Sequence, residues 1–288
     1  MLHTDPVLQR RRLRDKLRRL REASGFTQKD VAEAMDWSPS KVIRIESGNV
    51  NISVTDLRAL LQHYGVEDRA EVDELVTTAR LAKQRPWWER YKNNLEHPAF
   101  FAYLSYEGQA SIVRGFSPFR IPGLLQTEEY MNEIFESGGA SESGANLRAE
   151  LRLERQERLI RPDGPKLNFI LDESVIRRPV RSRGVMRRQL AHLLELTESP
   201  NITLRVMEFS AGMYPLCFNP YLLLEFENSE QDLVVYLDEK KTIKEGNVDD
   251  LPDGSSPSEY LEAFFGLEQI ARKDNARDLI RLAIDDFA

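Results

Sequence analysis

The chain has 288 residues, 41% hydrophobic and 30% charged, which allows two domains with real cores and rules out global disorder. No run approaches the ~18 uncharged apolar residues of a spanning helix, and the arginines that follow Val7 and Leu8 leave no apolar signal-peptide core. The single cysteine, Cys217, permits neither an internal disulfide nor a thiolate metal cluster and reads as a small buried hydrophobe, so a cytoplasmic protein without a membrane partner is expected. The net charge of −7 is unevenly spread: residues 1–85 hold 16 Lys/Arg against 13 Asp/Glu, and 86–288 hold 24 against 34. An electropositive end on an acidic body points to an anionic partner for the first part only. The densest basic run, Arg10 to Arg21, would otherwise be a solvated helix face, and its context decides between the two.

Residues 10–23 read as a helix with Leu13, Leu17 and Leu20 on one face, stopped by Ser24-Gly25. Thr27 is an N-cap with Asp30 in the capping-box position, and Phe26 and Val31 are spaced as a hydrophobic staple. A second helix therefore runs over about 28–35 with Val31, Ala32 and Met35 inward. Asp36-Trp37 makes a short turn. Ser38 caps a third helix, with Pro39 at the first position, Val42 and Ile45 along the apolar edge and Gly48 at the end. Helices over about 54–64, capped by Ser53 or Thr55, and 68–82 complete an all-α first domain of five helices.

Arg85-Pro86-Trp87-Trp88 marks a change of character, which divides a domain of residues 1–84 from one of 85–288. Residues 98–116 read as helical, within a connector spanning about 85–137. Pro118 to Gly123 is turn-rich, and Thr127 caps a helix over about 128–137. The stretch Ser137 to Gly144 has the composition of a flexible loop, and a charged helix follows over 146–160. The period then changes to two. Leu167, Phe169 and Leu171 mark a strand, as do Ile202, Leu204 and Val206, with a helix over 183–197 between them. Tyr221–Glu227 and Asp232–Asp238 read as a hairpin, 245–257 as a polar loop, and about 258–287 as two helices. The second domain is expected to be α+β, its sheet small, mainly antiparallel and confined to about 165–240.

Helix, short turn, helix, behind a basic supporting helix, is the layout that places its second helix in the major groove of duplex DNA. The residues from Leu17 to Ala32 and from Ser38 to Gly48 resemble the Xre-type regulators, related to the Cro and lambda-type repressors, over about residues 10–65. That resemblance implies roles by position. Gln28, with Lys29 beside it, stands where the family grips a phosphate. Ser38, Ser40, Lys41 and Arg44 stand on the face that touches bases and phosphates, and Ser47 and Asn49 where the following turn meets the backbone. Pro39 replaces an amide common in relatives, which shifts base readout toward Lys41, Arg44 and a methyl contact from Ile43. The resemblance also pairs Glu46 with Arg21, a structural role, since a bare carboxylate there would repel phosphate.

The segment Pro122 to Tyr130, with Trp87-Trp88, Leu171 to Ser174 and Gln189-Leu190, resembles more loosely, over roughly 86–240, an actinobacterial class of Xre-type proteins. There the long C-terminal domain has a poorly defined role and is often paired with a small protein encoded nearby, in antitoxin-like or developmental modules. Physically, Pro122-Gly123 makes a turn and Thr127 a cap, with a partner or ligand surface as the alternative. Aromatics cluster in 87–119 and 209–226 and could line a small-molecule pocket.

A catalytic centre cannot be assembled. His3, His63, His97 and His192 are scattered, no phosphate-binding glycine loop or nucleophile elbow occurs, and Asp172-Glu173 reads as a helix N-terminal charge pair. The expected protein is a non-enzymatic, sequence-specific transcriptional regulator that binds duplex DNA as a homodimer, needs no cofactor or metal and is modulated through its second domain. The alternatives are an antitoxin-like protein whose acidic domain binds a small partner, and a repressor that senses a small molecule.

Overall fold

The computed structural model describes residues 5–92, 98–139, 141–214, 219–227, 233–237, 242–245, 255–271 and 273–287. Cys217 and most of the expected polar loop at 245–257 lie outside them. The chain forms two compact units, Met1–Glu89 and Arg90–Ala288.

The first unit holds five helices: α1 (Pro6–Ala23), α2 (Gln28–Ala34), α3 (Pro39–Glu46), α4 (Val54–His63) and α5 (Arg69–Leu81). Helix α1 begins four residues before the expected start at 10, because Asp5 is an N-cap that accepts the Val7 N–H at 2.8 Å and Pro6 sits at the first helical position. The capping box of α2 is formed, with Thr27 N donating to Asp30 Oδ2 at 2.8 Å and Asp30 N to Thr27 Oγ1 at 3.2 Å. Asp36 turns the chain between α2 and α3 at φ 53°, a left-handed conformation that aspartate tolerates better than most side chains. Each helix contributes to one core of Leu17, Val31, Val42, Ile45, Leu57, Leu61 and Val76 among others. The helical period of these positions is what closes the unit.

The second unit is α+β. After a 3-10 turn at Trp87–Tyr91 come α6 (Pro98–Glu107), β1 (Ile112–Ser117), a 3-10 turn at Gly123–Leu125, α7 (Glu128–Ser137) and α8 (Glu142–Leu159). They are followed by β2 (Lys166–Asp172), α9 (Glu173–Arg177), α10 (Arg183–Leu196), β3 (Ile202–Met207), β4 (Tyr221–Glu225), β5 (Leu233–Leu237), β6 (Thr242–Glu245), α11 (Pro257–Ile270) and α12 (Lys273–Asp286). The strands form one sheet in the order β3-β2-β1-β4-β5-β6. The β1–β2 and β2–β3 pairings are parallel, and β1–β4, β4–β5 and β5–β6 are antiparallel.

Two elements differ from expectation, while Asp172 and Glu173 stand at a helix N-terminus as expected. Residues 98–116 are not one helix: α6 ends at Glu107, and Ile112–Ser117 is a strand at the centre of the sheet. Its pairing partners lie far away in sequence, and no local period announces them. The sheet therefore begins well before residue 165. The stretch 137–144 is not a loop throughout, since Ser141 caps α8 by accepting the Gly144 N–H at 3.3 Å. The carboxylates of Asp172 and Glu173 have structural partners: Asp172 caps α9 and accepts from Tyr214 at 2.6 Å, and Glu173 pairs with Arg177 at 3.2 Å.

One sheet face packs Phe116, Ile170, Tyr221 and Val235 against Tyr260, Phe264 and Leu267 of α11. On the opposite face Gly115 is required, because a Cβ there would lie 2.6 Å from the Phe169 ring and 2.9 Å from Leu222. Among the described residues no helix is long and apolar enough to cross a membrane, and no three His, Cys, Asp or Glu side chains group so as to hold a metal ion.

Candidate nucleic-acid interface

Helix α3 is held at its start by Ser38, whose hydroxyl accepts the Lys41 N–H at 3.3 Å, and at its end by Gly48, whose φ of 75° favours glycine. Val42 and Ile45 anchor its inner side in the core, 3% and 5% exposed. The opposite side is open: Ser38, Pro39, Ser40, Arg44, Ser47 and Asn49 are exposed, and Ile43 keeps 50% of its surface in solvent.

The polar residues of this face are linked to one another. Ser38 and Ser40 hydroxyls lie 3.0 Å apart; Asn49 Nδ2 donates to Ser47 Oγ at 2.9 Å, and Ser47 Oγ donates to the Arg44 carbonyl at 3.2 Å. Lys29, on α2, is largely exposed and lies 3.9 Å from Glu33, one turn on.

Arg21 and Glu46 come together. The guanidinium engages the carboxylate twice, Nε to Oε1 at 2.6 Å and Nη2 to Oε2 at 3.2 Å, while Nη1 donates to the Phe26 carbonyl at 2.9 Å. The hydrogen bond to Glu46 raises the guanidinium pKa further above its ordinary value. The one acid at the end of α3 is thereby neutralised.

Two of the anticipated contact residues have further partners that the sequence does not announce. Gln28 Nε2 donates to Glu46 Oε2 at 2.7 Å, which joins the first turn of α2 to the end of α3. Lys41 Nζ lies 3.1 Å from Asp56 Oδ2 and 3.8 Å from the centre of the Trp37 ring, an ion pair combined with a cation–π contact. Asp56 stands three residues after the cap Ser53, so its place in the first turn of α4 was readable, but its reach to α3 was not. Among the described residues the Arg44 guanidinium has no ion-pair partner. Of the expected readers, Arg44 and Ile43 are the uncommitted ones.

Residues 12–75 match the family described as helix-turn-helix domain, which supports a DNA-binding regulator, and residues 100–253 match the family described as domain of unknown function, DUF5753. No curated protein and no solved structure gives a significant match to the chain.

Proposed function

The chain belongs to the DUF5753 family, and from the helix-turn-helix at its front we infer that it is an Xre-type, sequence-specific transcriptional regulator. The observation that carries this reading is the outer face of α3, where Ile43 is half exposed and Arg44 stands without an ion-pair partner among the described residues, while Glu46 is masked by Arg21. Laid in a major groove, Arg44 is suited to guanine O6 and N7 and Ile43 to a thymine methyl. Ser38, Ser40, Ser47 and Asn49 are suited to phosphates, which take half or more of protein–DNA hydrogen bonds. Gln28 has a second amide N–H for the same purpose, and Lys29 and Lys41 add positive charge.

A single such unit reads only a few base pairs, so the regulator acts as a homodimer with two half-sites about one helical turn apart. Its second unit modulates DNA binding and does no chemistry. The acidic balance of residues 86–288, 24 basic against 34 acidic, favours a second reading in which that unit also binds a small basic protein, as in antitoxin-like modules. The protein works in the cytoplasm.

Selection of random duplexes by the full-length protein, read by sequencing and followed by anisotropy on the winning site, tests this. A two-fold symmetric motif is expected. A dimer neutralising about six phosphates should lose on the order of a thousandfold in affinity between about 50 and 200 mM salt. Failure to enrich any motif, with affinity indifferent to salt, would overturn the assignment.

A further inference from the structure

The chain from Ser47 to Ser53 joins α3 to α4 and carries two of the expected phosphate contacts, Ser47 and Asn49. Both ends of this turn are fixed. The Asn49 and Val50 amides donate to the Arg44 carbonyl at 2.9 and 3.2 Å, Ile52 is buried in the core, and Ser53 Oγ accepts the Asp56 N–H at 2.9 Å. The exposed Asn51 between them is held from another helix: Arg10 Nε, on α1, donates to Asn51 Oδ1 at 2.9 Å.

The same guanidinium reaches a third element. Arg10 Nη2 donates at 3.0 Å to the carbonyl of Ala82, the C-cap of α5, a residue only 1% exposed. A helix leaves its last carbonyls without partners of its own, and a cation there also suits the negative end of the dipole. The Lys83 and Gln84 amides take the Arg80 and Leu81 carbonyls at 3.3 and 3.0 Å, and Arg10 takes the next one. Arg14, one helical turn on from Arg10 and so on the same face of α1, reinforces the arrangement. Its Cδ would lie 3.5 Å from a Cβ at Gly48, so its stem runs along the start of the turn. A narrow cleft bordered by Arg10, Arg14, Val50, Asn51 and Ala82 marks where the three segments meet.

We propose that Arg10 is a positioning residue for DNA binding: it ties the α3–α4 turn to the last turn of α5 and so holds Ser47 and Asn49 where a phosphate can reach them. Arginine suits the task because its planar fork presents Nε and Nη2 in fixed directions, one toward the turn and one toward the helix end. Lysine would bring the same charge on a single nitrogen at the tip of a flexible stem. The partners lie 41 and 72 residues away, so the basic run that begins at Arg10 reads in the sequence as surface charge. The role in DNA binding rests on the reading above, whereas the tie itself stands on its hydrogen bonds.

Anisotropy of the full-length protein on its selected duplex, below the thermal transition of every variant, tests this. Asn49→Ala is expected to weaken binding several-fold in the natural background and to add little once Arg10 is replaced by glutamine, because the tie that places Asn49 is gone. Arg10→Gln and Arg10→Lys should weaken binding to a similar degree. Asn51→Ala, at an exposed position, removes the other half of the tie and should behave as they do, with no additional loss when combined with Arg10→Gln. Full affinity in Arg10→Lys, with a salt slope shallower by about 0.9 in Arg10→Gln, would make Arg10 a direct phosphate contact and overturn the proposal. So would an Asn49→Ala cost that is equal in the two backgrounds, or unchanged affinity in both Arg10→Gln and Asn51→Ala. Hydrogen exchange of the Asn49 and Val50 amides reads the turn without DNA. Faster exchange in Arg10→Gln of a protein that selects no duplex keeps the tie and removes the regulator, whereas unchanged exchange in a protein that binds DNA removes the tie alone.

Discussion

Arg21, at the end of α1, and Glu46, at the end of α3, are joined by two hydrogen bonds of 2.6 and 3.2 Å, with their side chains 11% and 6% exposed. The carboxylate sits at a helix C-terminus, where the dipole disfavours an anion, and the guanidinium offsets that. Because the pair is mostly out of water, removing one partner strands the other, which costs more than the 0–1 kcal/mol of an exposed pair. Glu46→Ala should lower the melting temperature of the first unit's transition, and Arg21→Ala should do the same. The double variant should lose less than the sum of the two. Glu46→Ala also releases Gln28, whose amide it accepts at 2.7 Å. Unchanged stability together with tighter DNA binding would show that Glu46 acts as an electrostatic brake rather than a strut.

Arg44 and Lys41 should separate by role. Arg44→Ala is expected to cost about 1–3 kcal/mol on the selected site and to flatten preference at one base pair. Lys41 is held by Asp56 and Trp37, so Lys41→Ala should weaken all sequences slightly and alike. Asp56→Asn releases that lysine and removes an acid: DNA affinity should rise and the salt slope steepen by about 0.9, the value of one further phosphate contact. Equal losses for Arg44→Ala on selected and random duplexes would make it a phosphate contact.

Gly115 is an interior glycine of β1 on which the sheet face opposite α11 depends. Gly115→Ala places a methyl 2.6 Å from two ring carbons of Phe169 and 2.9 Å from Leu222. Both neighbours belong to paired central strands and cannot simply swing away, so a loss of about 1–3 kcal/mol is expected for the second unit, typical of overpacking. Scanning calorimetry checks it. The same substitution at Gly266, where a Cβ meets nothing within 4 Å, is the control and should leave the transition in place.

What could be read in advance follows the range of the interactions. The caps Thr27, Ser38 and Thr127 and the hairpin β4–β5 are set by residues a few positions apart, and each appears where its pattern places it. The start of α1 was as readable, since Asp5-Pro6 repeats the cap-then-proline signal of Ser38-Pro39. Strand β1 was not: Val113 pairs with Leu167 and Leu224, and a central strand with both faces covered carries no alternation to betray it. The candidate interface shows the same division. Exposure of Ile43 and Arg44 follows from helical period, but the engagement of Gln28 by Glu46 and of Lys41 by Asp56 depends on how three helices meet.

The buried pair of Glu107 and Arg155 lies at the far end of that range, 48 residues apart in sequence and joined at 2.5 and 2.6 Å. Tyr103, fully buried between them, donates to Glu107 and accepts from Arg155 at 2.8 Å, and burial pushes its phenol well above the ordinary range. Burial also opposes the charge on Arg155, yet the nearby Glu107 and Tyr103 more than offset it, and its pKa is raised. The three groups are hydrogen-bonded to one another in a buried cluster, so the cost of breaking the set lies in what is left behind. Arg155→Met abandons a carboxylate that is 2% exposed and should cost about 3–5 kcal/mol, lowering the transition of the second unit. Replacing both, Glu107→Leu with Arg155→Met, removes two desolvated charges at once and should recover most of that loss. The Tyr103 hydroxyl then stands alone, and Tyr103→Phe in that background should recover the rest. If the double variant instead melted below Arg155→Met, the pair would be a net stabiliser that apolar packing cannot replace.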